Sequence, residues 1–166
     1  VIPNAWQHYK RVPYNENTLE KYKLEKGDYF FAIGSMEPNK NFKWIVDSAK
    51  KTPNQIYAIA GSINKKIFVN GIEDELPPNI KLLGYVGDEE AKTLMRDCKA
   101  FLFPSIYEGF GIPPLEAMSA GCKNIIVSDT EIMHEIFENS VVYLNAELSL
   151  NKFKYVDHEK ILKKYS

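Results

Sequence analysis

Residues 99–121 read Lys-Ala-Phe-Leu-Phe-Pro-Ser-Ile-Tyr-Glu-Gly-Phe-Gly-Ile-Pro-Pro-Leu-Glu-Ala-Met-Ser-Ala-Gly, and this stretch decides the fold. Its apolar start predicts a buried strand at Lys99–Pro104. A helix is predicted to open at Pro113 and Pro114, where a missing N–H costs least, and to stop at Gly121, which favours a left-handed helix end. A strand, a glycine-containing loop and a helix in this order form the repeating unit of a parallel α/β sheet.

The same alternation runs along the rest of the chain. Short runs of β-branched and aromatic residues predict six strands, at Tyr29–Gly34, Gln55–Gly61, Ile80–Gly84, Lys99–Pro104, Asn124–Ser128 and Val141–Leu144. Apolar residues at helical spacing predict helices around Phe42–Ala49, around Ala91–Cys98 with Asp88 as cap, and from Asp129 or Thr130 onward. The sequence therefore predicts an α/β fold, a Rossmann-like doubly wound parallel sheet of about six strands flanked by helices.

Three segments are expected. Residues 1–28 are less regular and are interpreted as an interdomain linker, residues 29–156 form the Rossmann-like domain, and residues 157–166 form a C-terminal helix. The lysines near the C-terminus alternate with acidic residues, which is typical of a solvated helix face.

Composition excludes several classes of protein. A formal net charge of -1 argues against nucleic-acid binding, which requires clustered Lys and Arg. The apolar runs are too short to span a bilayer. Cys98 and Cys122 have no paired spacing and no neighbouring His cluster, so they are interpreted as reduced structural thiols rather than metal ligands.

Two loops are the candidate sites, because ligands of open α/β sheets bind beyond the carboxyl ends of the strands. The loop Pro104–Glu116 contains Gly109 and Gly111 and leads into a helix N-terminus, where the amides of Leu115 and Glu116 would favour a phosphate. The Glu116 carboxylate could accept two hydrogen bonds from a sugar diol. From the residues alone, simple turn glycines, a solvated Glu108 and a favourable first-turn acid explain this loop equally well.

At these residues the chain resembles the C-terminal domain of group 1, family 4 retaining glycosyltransferases, in which two Rossmann-like domains face each other in the GT-B fold. The paired glutamates Glu108 and Glu116, with seven residues between them, match that family's motif. The other matching segments are Val1–Asn4, Gly34–Asn41, Leu83–Val86, Pro104–Met118 and Ala120–Gly121.

The resemblance implies a role for each matched position. Lys40 and Glu108 would be catalytic, Lys40 by neutralising the donor diphosphate and Glu108 by lying near the transferred sugar. Glu116 would bind the ribose. The remaining donor-binding positions would be Gly34, Ser35, Tyr85, Val86, Gly109, Phe110, Gly111 and Leu115. Ser35 and Asn39 stand where many relatives carry an Arg, so neutralisation would depend on Lys40 and backbone amides. His8 and His134 are not expected to be catalytic.

By resemblance, the chain is expected to bind the nucleotide-sugar donor of a cytoplasmic retaining glycosyltransferase, without a metal or other cofactor. A missing N-terminal domain would hold a glycan or lipid-linked acceptor, and the whole enzyme would transfer a hexose in surface polysaccharide synthesis. This fragment would be inactive alone. Peripheral association of the full-length enzyme with the inner face of the membrane stays open. Two alternatives also stay open: a non-catalytic nucleotide-binding module, and a nucleotide-sugar epimerase of similar architecture.

Overall fold

A computed structural model describes residues 6–35, 37–62, 76–108, 110–144 and 158–166. Its strands are β1 Tyr29–Ile33, β2 Ile56–Ala60, β3 Ile80–Gly84, β4 Ala100–Phe103, β5 Ile125–Ser128 and β6 Val142–Leu144. The described α-helices are α1 His8–Arg11, α2 Thr18–Tyr22, α3 Phe42–Lys51, α4 Asp88–Asp97, α5 Ile112–Ser119, α6 Glu131–Phe137 and α7 His158–Lys164. A short 3-10 helix at Pro38–Lys40 precedes α3.

The strands form one parallel sheet in the order β3-β2-β1-β4-β5-β6. The predicted α/β fold is confirmed, and each of the six predicted strands lies within one residue of the observed bounds at either end. Strands β1 and β4 are neighbours at the centre, where the order along the chain reverses. This reversal is the topological switch point of a doubly wound fold.

Each face of the sheet has its own apolar layer. Side chains alternate across a strand, so Phe30 packs with α3 on one face and Phe31 packs with the opposite layer. The Phe31 face is covered by residues of α4, α5, α6 and α7, among them Leu94, Leu115, Phe137 and Ile161. Helices therefore flank the sheet on both sides, as the alternating sequence pattern predicts.

The segment before β1 packs against the Phe31 layer. Trp6, Tyr9 and Leu24 are buried in it, and Trp6 Nε1 donates to the carbonyl oxygen of Tyr165 at 3.1 Å. The buried Lys92 Nζ donates to carbonyl oxygens in the same segment. Residues 6–28 therefore share the core of the sheet domain, and the division of the chain at residue 28 stays a prediction.

Two helix starts differ from the sequence prediction. The cap of α4 is Gly87, and Asp88 is the first helical residue with no side-chain capping bond. Helix α5 starts at Ile112, one residue before the expected Pro113. In both cases a glycine takes the cap position, which it does almost as readily as a polar side chain. Thr130 caps α6 as expected, because its side chain accepts from the amide of Met133.

Candidate functional site

The two candidate loops meet at the switch point of the sheet. The chain leaves β1 toward α3 on one face and leaves β4 toward α5 on the other. Diverging connections of this kind open a crevice beyond the carboxyl ends of the two central strands. The fold therefore places the residues of both loops, which are far apart in the sequence, around one crevice.

Lys40 and Glu108 form an ion pair across this crevice. Lys40 Nζ contacts Glu108 Oε1, and the Ser105 hydroxyl donates to the same carboxylate oxygen at 2.8 Å. The Lys40 and Glu108 side chains are 25% and 17% exposed. The two residues that the resemblance singles out as catalytic are thus in direct contact in the described structure.

Backbone and side-chain hydrogen bonds join the two loops around this ion pair. The amide of Ile106 donates to the carbonyl oxygen of Asn39 at 2.9 Å, and Asn39 Nδ2 donates to the carbonyl oxygen of Tyr107 at 3.4 Å. From β5, the Ser128 hydroxyl donates to the carbonyl oxygen of Ser105. Asn39 therefore holds the loop that carries Glu108.

Gly111 fixes the start of α5. It caps the helix with φ of 78°, and a Cβ added there would lie 3.1 Å from Cε of Met133 and 3.4 Å from Cε2 of Phe137. A side chain would thus meet both an unfavourable backbone conformation and a crowded neighbour. Gly111 allows the loop to pass close to α6 and turn into the helix.

The observed start of α5 changes which amides are available to a ligand. With Ile112 as the first helical residue, the amides of Leu115 and Glu116 are in register to donate to the carbonyls of Gly111 and Ile112. That these two amides bind a phosphate stays a prediction. Pro113 and Pro114 have no N–H, so Gly111 and Ile112 supply the amides of this terminus that lack an intrahelical acceptor.

Glu116 lies away from the ion pair, beside the N-terminal segment. Its side chain is 18% exposed, and its Oε1 lies 3.8 Å from His8 Nε2. Burial raises the pKa of the Glu116 carboxyl, a charged His8 opposes that rise, and the carboxylate of Asp88 adds to it. From the sequence, His8 lies in the segment interpreted as a linker and is not expected to be catalytic. The signal that could have indicated it is the pair Trp6 and Tyr9, whose burial on one side of α1 brings His8 to the domain.

Glycines shape the floor of the site at the ends of β1, β2 and β3. The amide of Gly34 donates to the carbonyl oxygen of Ala60 at 3.1 Å, and that of Gly61 donates to Gly84 at 2.8 Å. A Cβ at Gly61 would lie 1.9 Å from the carbonyl oxygen of Gly34. The strands therefore approach too closely for a side chain at Gly61, a position that sequence reasoning did not include in the site.

The other predicted donor-binding residues differ in how far they are exposed to a ligand. Tyr85 is 87% exposed just beyond β3, whereas the Val86 side chain is buried in the core and leaves mainly its backbone for a ligand. The Phe110 ring packs edge-on against Tyr165 with centroids 5.3 Å apart. Ser35 lies half-buried after β1. Gly109 is outside the described residues.

Two features are absent from the described residues. No group of three or more His, Cys, Asp or Glu side chains is arranged there to hold a metal ion. That the chemistry needs no metal stays a prediction from the resemblance. Within the same part of the chain, no helix has the length and apolar character required to cross a membrane.

Comparison of the sequence with known families and proteins gives consistent matches. The sequence model of the glycosyl transferases group 1 matches residues 15–151. The O-antigen chain mannosyltransferase RfbU of Salmonella typhimurium is 33% identical over 130 residues, which cover 75% of this chain and 36% of that protein. The O-antigen chain mannosyltransferase B of Escherichia coli is 33% identical over 124 residues, which cover 64% of this chain and 31% of that protein. The chain thus spans about a third of the length of these relatives.

Solved structures with a similar fold are glycosyltransferases as well. WaaG, a glycosyltransferase involved in lipopolysaccharide biosynthesis, has a TM-score of 0.60 at 17% identity, with 98% of this chain and 41% of that chain covered. Anabaena Alr3699/HepE in complex with UDP and glucose has a TM-score of 0.63 at 17% identity, covering 82% of this chain and 40% of that chain. At these identities the likeness concerns the fold alone.

Proposed function

The chain belongs to the group 1 glycosyl transferases, and on this premise we propose that it is the donor-binding domain of a retaining glycosyltransferase. It binds a nucleoside diphosphate hexose. Together with an acceptor-binding domain, it transfers the hexose to a glycan or lipid-linked acceptor in surface polysaccharide synthesis on the cytoplasmic side of the membrane. Mannose is the first sugar to test, because two relatives are named O-antigen chain mannosyltransferases.

The observation that carries this proposal is the Lys40–Glu108 ion pair at the switch point. In the two loops, residues 34–41 and 104–116, Lys40 is the only Lys or Arg. A diphosphate in the crevice would take the Lys40 ammonium as its counter-charge and the amides of Gly111 and Ile112 as donors. Both groups stabilise negative charge, which is the requirement for a diphosphate leaving group.

Donor binding requires Lys40 to change partners. The diphosphate and the Glu108 carboxylate compete for one ammonium, so the diphosphate displaces Glu108 and leaves it with the Ser105 hydroxyl. Glu108 is then free to face the sugar. There its negative charge stabilises the positive charge that develops at the anomeric carbon as the bond to the diphosphate oxygen breaks.

The rest of the proposed reaction keeps the anomeric configuration, as the resemblance to retaining enzymes implies. The acceptor oxygen bonds to the anomeric carbon on the face that the diphosphate leaves, which retains the configuration. The proton of the acceptor hydroxyl passes to the departing phosphate oxygen, whose negative charge Lys40 and the helix terminus hold. No metal is required in this scheme, because these groups supply the positive potential.

The nucleoside extends away from this centre. The Glu116 carboxylate has two oxygens that can accept hydrogen bonds from the ribose hydroxyls. Gly34 and Gly61 carry no side chain, so a ligand beyond the strand ends would meet backbone there. The backbone after β3, at Tyr85 and Val86, would meet the base.

A non-catalytic nucleotide-binding module is the second candidate, and one observation favours it. The positions where relatives carry an Arg hold Ser35 and Asn39, and Asn39 serves to join the two loops. Lys40 is then the only cationic side chain of the two loops that can neutralise the diphosphate, together with backbone amides. In the full-length protein, Glu108→Gln separates the candidates: sugar transfer falls strongly if the domain is catalytic and is unchanged if it only binds nucleotide.

Calorimetric titration with UDP, GDP and ADP tests donor binding. We expect one of them to bind the wild-type chain, and Lys40→Ala to weaken that binding about tenfold, the equivalent of about 1.4 kcal/mol. Lys43→Ala is the matched control, because Lys43 is an exposed lysine on α3 that pairs with Asp47 at 2.7 Å. Equal binding by wild type and Lys40→Ala would contradict the assignment of the diphosphate to Lys40.

A further inference from the structure

We propose that His8 is a positioning residue for the Glu116 carboxylate, and that α1 is a built part of the ribose site. The inference rests on the proposed role of Glu116 in binding ribose. Its geometric basis is the 3.8 Å separation between His8 Nε2 and Glu116 Oε1, with Glu116 largely buried and His8 about half exposed. His8 and Glu116 come from α1 and α5, which are far apart in the sequence.

Helix α1 is held firmly enough to position a side chain. On its N-terminal side, the buried Trp6 donates from Nε1 to the carbonyl oxygen of Tyr165 at 3.1 Å. On its C-terminal side, Lys92 Nζ donates to the carbonyl oxygens of Tyr9 and Val12 at 2.6 and 2.7 Å. His8 therefore stands on a short helix that is fixed at both ends, and not on a free linker.

The charges around Glu116 come from two helices. Helix α1 contributes His8 and the buried Tyr9, and α4 contributes Asp88. Burial is the largest cause that raises the pKa of the Glu116 carboxyl, and Asp88 raises it further, while His8 lowers it. His8 thus opposes the environment that favours a neutral Glu116.

The charge of Glu116 matters to the proposed ligand. An ionised carboxylate accepts hydrogen bonds at both oxygens, whereas a protonated carboxyl uses one oxygen as a donor. Two ribose hydroxyls that both donate need the ionised form. His8 would keep Glu116 ionised and oriented, so that the segment before β1 determines whether the ribose is bound.

The first test measures the pKa of the Glu116 carboxyl by carbon NMR in the nucleotide-free chain. We expect His8→Ala and His8→Gln to raise this pKa, and Asp88→Asn to lower it, because the two neighbours act with opposite sign. His134→Ala is the control, since His134 pairs with Asp129 at 2.5 Å and is not among the charged groups that shift the pKa of Glu116, so it should leave the Glu116 titration unchanged. A pKa that does not rise in either His8 variant would overturn the inference.

The second test measures nucleotide affinity against pH for the same variants. Affinity should fall on the acidic side as Glu116 takes up a proton, and this fall should move to higher pH in His8→Gln and to lower pH in Asp88→Asn. Failure of wild type to bind any nucleotide would reject the proposed function, while the carbon NMR result would still decide the His8–Glu116 contact. If nucleotide binds but its affinity falls at the same pH in all variants, the inference about His8 is rejected and the proposed function is not.

Discussion

Lys40 and Glu108 are 68 residues apart in the chain and form an ion pair between the loops that follow the two central strands. The sheet order makes this contact, because β1 and β4 are neighbours whose loops diverge to opposite faces. The Ser105 hydroxyl and the bonds between Asn39 and the opposite loop hold the pair in place. The Lys40 ammonium thus pairs with Glu108 in the free chain and, by our proposal, with the diphosphate in the complex.

Competition for Lys40 predicts that Glu108→Gln strengthens the binding of a nucleoside diphosphate that lacks the sugar. The neutral amide releases Lys40, and the gain should be about 1 kcal/mol, since a partly exposed ion pair contributes no more than this. Calorimetry with the tightest-binding nucleoside diphosphate measures it, and Glu135→Gln, an exposed position on α6, is the control. A loss of affinity as large as that of Lys40→Ala would refute the competition.

The raised pKa of Glu116 predicts a cost to stability at neutral pH. Because burial raises its pKa in the folded chain, Glu116 favours folding below its unfolded-state pKa, and this contribution is lost as pH rises through the folded value. Glu116→Gln should therefore increase the free energy of unfolding at neutral pH and have little effect in acid. Urea denaturation at both pH values measures the difference. An equal change at both would point to packing rather than charge.

Asn79 is predicted to be a structural residue at the edge of the sheet opposite the candidate site, because it directly precedes β3. Its buried Nδ2 donates to the carbonyl oxygens of Ala49, Thr52 and Gln55 at 3.0, 3.1 and 2.9 Å, joining the end of α3 to β2. Asn79→Ala should lower the free energy of unfolding by about 1–3 kcal/mol, because these carbonyls lose their donor. Asn54→Ala in the exposed turn before β2 should have little effect. Equal stability of the two variants would contradict this role.

The glycine floor predicts that Gly61 cannot be replaced. An added Cβ would lie 1.9 Å from the carbonyl oxygen of Gly34, and Gly61 has φ of 132°, so Gly61→Ala should cost about 3 kcal/mol or more and weaken nucleotide binding. Gly87→Ala is the control, because no atom lies within 4 Å of a Cβ there. It should cost about 1 kcal/mol or less. Thermal unfolding of both variants gives the comparison, and similar midpoints would argue against the close approach.

The sequence predicted the elements that local pattern determines. Strands buried on both faces have continuous apolar sequences, such as Ile125–Val127. For this reason the predicted ends of the six strands lie within one residue of the observed ends. The helix starts are predicted less accurately, because Asp88 is also a favoured cap residue and Pro113 is also a favoured first helical residue, while Gly87 and Gly111 take the caps. The loop containing Glu108 was recognised from its glycines and prolines, but the ion pair with Lys40 required the sheet order.

Contacts that depend on distant packing could not be predicted. The interpretation of the first 28 residues as a linker follows from their irregular pattern, yet Trp6 and Tyr9 are buried. The Trp6 indole N–H donates to the carbonyl oxygen of Tyr165, and Lys92 Nζ donates to the carbonyl oxygen of Tyr9. The His8–Glu116 contact depends on that packing. Cys98 and Cys122 have no telling spacing, but their Sγ atoms lie 3.6 Å apart as free buried thiols.

The central claim is that a nucleoside diphosphate binds at the switch point between β1 and β4. Its most direct test is nitrogen-edited NMR of the isotopically labelled chain during titration with GDP, UDP or ADP. We predict that the amides of Ser35, Lys40, Gly111 and Ile112 shift most for the nucleotide that binds, and that Lys40→Ala removes these shifts. Shifts confined to other parts of the sheet, with these four amides unmoved at saturation, would contradict the account.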